Sequence, residues 1–90
     1  MHSNTIYAHL RACLAQVLVG VDPNSIRAGD DLQKKYHMDP IARSVLANTL
    51  NNYFAGIGQP LNPPLLPSET QAAQTIADLF NLLRARIPTP

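Results

Sequence analysis

The chain has 90 residues, of which 46% are hydrophobic and 14% are charged, and its formal net charge is +1. This length provides for one domain, and the hydrophobic fraction excludes wholesale disorder. The nearly balanced charge gives no strong electrostatic attraction to nucleic acid, acidic substrates or anionic lipid. We therefore expect a single small globular domain over residues 1–90.

The sequence also indicates a cellular compartment. Cys13 is the only cysteine and cannot form an internal disulfide. No basic segment followed by an apolar block precedes the first helix-like stretch. No run approaches the roughly 18 apolar residues of a membrane helix. A reducing, cytoplasmic location without a membrane partner is the expectation.

The first predicted helix lies between Asn4 and Val19, where apolar residues recur with helical spacing. Ser3 or Asn4 could cap its start, and Gly20 occupies a position where a helix end favours positive φ. The stripe consists of Ile6, Leu10, Cys13, Leu14, Val17 and Leu18.

A long loop is predicted over residues 21–38, because Pro23, Asn24, Gly29 and the pair Asp30 and Asp31 favour turns. Two isolated apolar residues in it, Ile26 and Leu32, are expected to attach the loop to the core.

A second helix is predicted from Asp39-Pro40, since Asp is a strong N-cap and Pro is favoured at the first helical position. Gly56 and Gly58 should end it. Its expected apolar face consists of Ile41, Val45, Leu46, Leu50, Tyr53, Phe54 and Ile57. Residues 59–67 (QPLNPPLLP) contain four prolines and are predicted to form an extended connection.

The last segment fits two interpretations. Ser68 with Gln71, and Thr75 with Asp78, each resemble a capping box. Either one helix runs from Ser68 to Arg86, or a short helix over 69–74 precedes another over 76–86. Without any long period-two alternation, the sequence predicts an all-α bundle of three or four helices, with a Pro-rich loop after the second long helix.

The order of these elements resembles the acyl carrier proteins. In that family an aliphatic loop residue lies fourteen positions before the serine of an Asp-Ser-Leu motif, and an aromatic residue lies fourteen positions after it. Here Ile26 and Phe54 stand at those distances from Pro40. Asp39 and Ile41 match the motif Asp and Leu. Leu66-Pro67 and Thr75-Ile76 resemble the turn and the start of the family's last helix, whereas the residues between Phe54 and Leu66 exceed its usual length.

The residue that the resemblance makes most important is absent. The family's motif serine carries 4′-phosphopantetheine, and Pro40 stands in its place. Proline has no nucleophile, so this position cannot be modified and no cofactor is expected. Ser44, one helical turn later, is the alternative attachment residue. His37 stands where the family commonly has Gly.

The second helix also departs from the family in charge. The resemblance implies an acidic helix that basic enzyme surfaces recognise, but residues 41–57 contain one positive charge and no negative one. We expected a different contact surface, formed by the Pro-rich loop and the exposed part of this helix: Arg43, Ser44, Ala47, Asn48 and Asn51.

Other candidate chemistry is weaker. His9 and Cys13 share a helix face at i and i+4 and could hold a metal, but Cys13 lies in the apolar stripe, so a core role is expected and no metal site is predicted. Lys34, Lys35, Arg43 and Arg84 could contact phosphates, although a surface turn explains the Lys34–His37 cluster more simply.

The sequence thus favours a non-enzymatic protein-interaction or regulatory module with a carrier-like fold and an unidentified protein partner, such as a biosynthetic enzyme. Two alternatives remain open at this point. The chain could be a working carrier that uses Ser44 or binds acyl chains without a covalent arm, or it could be a small helical nucleic-acid binder.

Overall fold

Four α-helices joined by irregular segments form residues 1–88, the part of the chain that the computed structural model describes. The helices are α1 (Ser3–Val17), α2 (Pro40–Gly56), α3 (Pro67–Ala72) and α4 (Ile76–Arg84), and Pro23–Ser25 adds one turn of 3-10 helix. Residues 1–88 contain no β-strand, and none of their helices has the length and apolar character needed to cross a bilayer. The predicted all-α class is confirmed.

The start of α2 is the predicted one. The Asp39 carboxylate accepts a hydrogen bond of 2.8 Å from the backbone N–H of Ala42, and Pro40 is the first helical residue. The helix ends at Gly56, and Gly58 follows with φ +81°. Because a left-handed backbone strains most side chains, glycine at position 58 lets the chain turn away from the helix.

The start of α1 differs from the prediction. His2 is the N-cap and makes no side-chain capping bond, so capping by Ser3 or Asn4 is wrong. Both residues already lie within the first helical turn. A capping side chain must come from the residue before the helix, where it can reach the free N–H groups of that turn. The helix ends at Val17, two residues before the predicted Val19, whereas Gly20 has the predicted positive φ, +84°.

The C-terminal region contains two helices rather than one long helix. Thr75 caps α4: its hydroxyl accepts from the Asp78 N–H at 3.3 Å, and the Asp78 carboxylate accepts from the Thr75 N–H at 3.1 Å. This reciprocal capping box confirms the predicted start of the last helix.

The capping box predicted for Ser68 and Gln71 is wrong. Helix α3 begins at Pro67, two residues before the predicted start at residue 69, and the Glu69 carboxylate accepts from the Leu66 N–H at 3.1 Å. Leu66 has no side-chain acceptor, so only half of a capping box exists here.

The core lies between α1, α2 and α4, with α3 packed beside α2. Three residues assigned to the core face of α2 are instead exposed: Ile41 by 75%, Val45 by 48% and Ile57 by 44%. The largest fully buried side chains are Phe54, Ile6, Leu10, Leu14, Leu32, Met38, Leu46, Leu50, Ile76, Leu79, Leu83 and Thr70.

The loop between α1 and α2 is attached at both expected residues, because Ile26 and Leu32 are buried. Backbone hydrogen bonds add to this attachment. The Leu32 N–H donates to the Gln74 carbonyl at 2.9 Å, and the Ile76 N–H donates to the Asp30 carbonyl at 3.1 Å. The loop therefore packs against the junction of α3 and α4.

Candidate functional site

Pro40 is exposed at the first position of α2. A backbone N–H at this position has no partner within the helix, so proline costs the helix no hydrogen bond. Ser44, the alternative attachment residue, lies one turn along the helix and is half-buried. Its hydroxyl donates to the Pro40 carbonyl at 3.0 Å and accepts from the Gln71 side-chain amide at 3.0 Å. This hydroxyl therefore links α2 to α3.

The turn into α2 includes a left-handed residue. His37 has φ +53°, and its side chain is exposed. Its backbone N–H donates to the Gln33 carbonyl at 3.0 Å, and the next residue, Met38, is buried. Non-glycine residues adopt this conformation infrequently, with Asn, Asp and His the more tolerant ones.

Arg43 does not belong to a free surface. Its guanidinium donates to the backbone carbonyls of Met38 at 3.0 Å, Gln71 at 2.8 Å and Ala73 at 2.6 Å. Carbonyls at the end of a helix lack intrahelical partners, so a cation placed there satisfies them. Arg43 thus connects the end of α3 to the start of α2.

The predicted contact surface on α2 is corrected by this packing. Ala47 is fully buried, and Asn51 exchanges two hydrogen bonds with the backbone of Leu65, so neither shares an open face with Asn48. Of the five residues predicted for contact, only Asn48 is exposed, while Arg43, Ser44 and Asn51 are half-buried. Helix α3 and the Pro-rich connection occupy the side that was expected to be free.

The face of α2 that is open to solvent is a different one, here called the α2 stripe. It combines two β-branched apolar residues with two amides and one small residue, and it carries no charge. Its spacing of four, three, four and three residues follows one side of a helix. The stripe consists of Ile41, Val45, Asn48, Asn52 and Ala55.

The metal interpretation of His9 and Cys13 finds no support. Cys13 is fully buried, as predicted for a core residue, and burial raises its thiol pKa to about 12. The His9 imidazole Nδ1 lies 2.5 Å from the Tyr53 hydroxyl, and its ring meets that of Phe54 edge-on. In residues 1–88, no three His, Cys, Asp or Glu side chains come together as metal ligands.

Two of the four basic residues predicted as phosphate contacts are engaged within the fold. Lys35 pairs with the Asp30 carboxylate at 3.0 Å, and Arg43 is bonded to backbone carbonyls. Lys34 and Arg84 are exposed, but they lie on the loop and on the last turn of α4, respectively. Two of the four candidate cations therefore already have partners within the fold.

A groove of about 390 Å³ lies at the junction of α3 and α4. Its lining is short side chains, one amide, one carboxylate and one leucine: Ala72, Ala73, Gln74, Asp78 and Leu82. The Asp78 carboxylate caps α4 from within this groove, so its hydrogen-bonding capacity is directed to the Gln74 and Thr75 N–H groups.

Comparison of the chain with protein-family models, with curated proteins and with solved structures finds no match. Its function is therefore inferred from the chain's own residues and their arrangement.

Proposed function

We propose that this protein is a carrier-like domain without a prosthetic arm, acting as a non-enzymatic protein-interaction or regulatory module in the cytoplasm. The observation that carries the proposal is the position of Pro40. It begins α2 directly after the capping Asp39, where the resemblance to acyl carrier proteins requires the modified serine. A side chain without a nucleophile cannot receive phosphopantetheine, so the proposal includes no cofactor.

The arrangement of the elements supports the carrier resemblance. A long loop separates α1 from α2, and a short α3 precedes α4. Ile26 and Phe54, each fourteen positions from Pro40, are both buried, as is Leu32 in the loop. The burial of these three side chains supports the resemblance.

The backbone at position 37 adds independent support. The resemblance places a glycine there, and a glycine is the residue that most easily adopts positive φ. His37 adopts φ +53° although it is not a glycine. The chain therefore makes a left-handed turn before α2 at the position where the resemblance places a glycine, although the residue here is histidine.

The α2 stripe is the surface that we propose for partner binding. A partner that covers Ile41 and Val45 removes their apolar surface from water, which favours binding. The stripe carries no charged group, so no charge has to be desolvated. A surface without acidic residues does not attract the basic patches that recognise carriers. The partner is then a protein with an apolar, weakly charged contact region, and biosynthetic enzymes remain candidates.

Site-specific photo-crosslinking in the native cells tests this proposal. A photoreactive residue at Asn48 should capture a defined protein, and Ile41→Glu in the same chain should abolish the product. The matched control carries the photoreactive residue at Gln16, which is exposed on α1. Equal products from both positions, or no product at Asn48, would contradict the proposed surface.

A further inference from the structure

The segment that leads into α3 presents prolines to solvent over residues 63–67, here called the proline segment, and its last residue, Pro67, is the first residue of α3. Four of its five residues are exposed: Pro63, Pro64, Leu66 and Pro67. The fifth, Leu65, has only 3% of its surface exposed. The segment therefore has one inward residue and an outer surface of three prolines and one leucine.

The amino acids themselves favour extended backbone over residues 63–66, up to the start of α3. The three proline rings fix φ near −65°. Pro63 and Leu66 each precede a proline, which disfavours the helical region for them. Leu66 has φ −93° and ψ 147°, close to the polyproline II values. Leu65 is the one residue that proline does not constrain.

Leu65 is held instead by Asn51 of α2. The Leu65 N–H donates to the Asn51 side-chain carbonyl at 2.8 Å, and the Asn51 amide donates to the Leu65 carbonyl at 3.0 Å. Both backbone polar groups of Leu65 are thus bonded on the inner side. The outer side of the segment is left free of these contacts.

An ion pair holds the segment near both of its ends. The Arg86 guanidinium, whose side chain is 9% exposed, donates to the Pro63 carbonyl at 2.8 Å and to both Glu69 oxygens at 2.6 Å. The same Glu69 carboxylate accepts from the Leu66 N–H at 3.1 Å. Asn51, Glu69 and Arg86 together fix the backbone at Pro63, Leu65 and Leu66.

From this geometry we propose that the proline segment is a preorganised ligand for a protein domain with an aromatic-lined groove that binds polyproline II. That conformation has three residues per turn, so Pro64 and Pro67 share one edge and Pro63 and Leu66 share the next. Leu65 alone lies on the inward edge. Two residue-proline pairs therefore face outward, the pattern that such grooves accept.

Preorganisation favours this mode of binding. A free proline-rich peptide loses backbone and side-chain freedom when it binds, whereas this segment is already held by three side chains. The Arg86–Glu69 pair balances its own charge, so the surface that approaches the groove carries little electrostatic bias. This surface is separate from the α2 stripe and does not depend on it.

A binding assay with purified SH3, WW and EVH1 domains tests the proposal. At least one of these probes should shift the NMR resonances of residues 63–67 in the isotopically labelled protein. A poly-L-proline peptide should displace that probe. Replacing both Pro64 and Pro67 with Ala should weaken binding by at least about tenfold, as expected for loss of central contacts. Pro60→Ala, an exposed proline outside the segment, is the matched control and should bind normally.

Two further variants separate binding from folding. Leu66→Asp changes an exposed side chain and should reduce binding while the thermal unfolding midpoint stays unchanged. Asn51→Ala releases Leu65 and should weaken binding although Asn51 does not face the groove. Absence of binding to every probe, undiminished binding of the double proline variant, or shifts confined to the α2 stripe would overturn the proposal.

Discussion

Three carboxylates hold irregular parts of the chain through hydrogen bonds that favour their ionised forms. The Tyr36 hydroxyl, at 2.6 Å, is the main group that lowers the pKa of Asp30, to about 2. The Arg86 guanidinium lowers the pKa of Glu69, and the backbone N–H groups of Gln74 and Thr75 lower that of Asp78. Each carboxylate is therefore more acidic in the folded protein than in the unfolded chain.

Acid should consequently weaken the fold. A carboxylate with a lowered folded pKa contributes stability above its unfolded pKa, about 4, and loses that contribution as the pH falls through the folded pKa. We predict that the free energy of unfolding is steady near neutral pH and declines from about pH 4 towards pH 2. Urea unfolding followed by circular dichroism at several pH values measures this decline.

Tyr36→Phe provides the control, because it removes the hydroxyl that contributes most to the Asp30 shift. The decline between pH 4 and pH 2 should become shallower in this variant. An identical pH profile for both proteins would show that the Tyr36–Asp30 bond does not set the acid sensitivity. The same bond and burial raise the Tyr36 pKa to about 12, so Tyr36 stays protonated across the acid range.

At the scale of the helix, α2 has three different sides. One contains Leu46, Leu50 and Phe54 in the core, and another contains Ala47 beside α3 and the Pro-rich connection. The α2 stripe occupies the remaining side and faces solvent. A small side chain such as Ala47 thus buries as completely as a leucine where a second element lies close.

The same substitution should destabilise the fold strongly at position 47 and hardly at all at the neighbouring position 48. Ala47→Glu places a carboxylate where no solvent reaches, and we predict a loss of about 3 kcal/mol or more in unfolding free energy. Asn48→Glu places it on the exposed stripe and should change stability by less than about 0.5 kcal/mol. Chemical denaturation of both variants measures the difference. Comparable destabilisation would contradict the assignment of the two sides.

Local sequence signals predicted the helix boundaries better than the helix faces. Asp39-Pro40 and the Thr75–Asp78 box act through residues one turn away, so their roles are visible in sequence. Burial of Ala47 depends on α3, which is distant in the chain, and hydrophobicity alone favoured Ile41 and Val45 as core residues instead. For this reason Ala47, which the sequence assigned to the contact surface, is buried instead.

The hydrogen bonds of Arg43 and Asn51 also could not be predicted from the neighbouring residues in the sequence. Arg43 bonds to carbonyls 28 and 30 positions away, and Asn51 bonds to a backbone 14 positions away. No periodicity marks such partners, because the acceptors are main-chain groups that every residue carries. The one signal of these hydrogen bonds in the sequence was a charged or amide side chain on a helix that contains few charges.

For the whole molecule, the four-helix order, the buried loop residues and the turn at His37 support one account. In the function we propose, this fold is the frame on which a carrier would display its arm, and Pro40 stands where the arm would be attached. The α2 stripe and the proline segment are the exposed surfaces that we propose bind proteins. The carrier resemblance is the central claim of this account.

Wild-type mass alone does not test that claim, because any unrelated protein also stays unmodified. The variant Pro40→Ser restores a hydroxyl between Asp39 and Ile41 at the first position of α2. If the resemblance is correct, a promiscuous phosphopantetheinyl transferase should still modify that hydroxyl during prolonged coexpression, because the missing acidic helix mainly slows the encounter of the two proteins. Adding Ser44→Ala to this variant shows which residue is modified.

The most direct measurement is therefore the intact mass of these proteins after coexpression with the transferase. The account predicts an unmodified wild type and one phosphopantetheine on Pro40→Ser, with or without Ser44→Ala. A modified wild type, or a folded Pro40→Ser variant that remains unmodified, would contradict it.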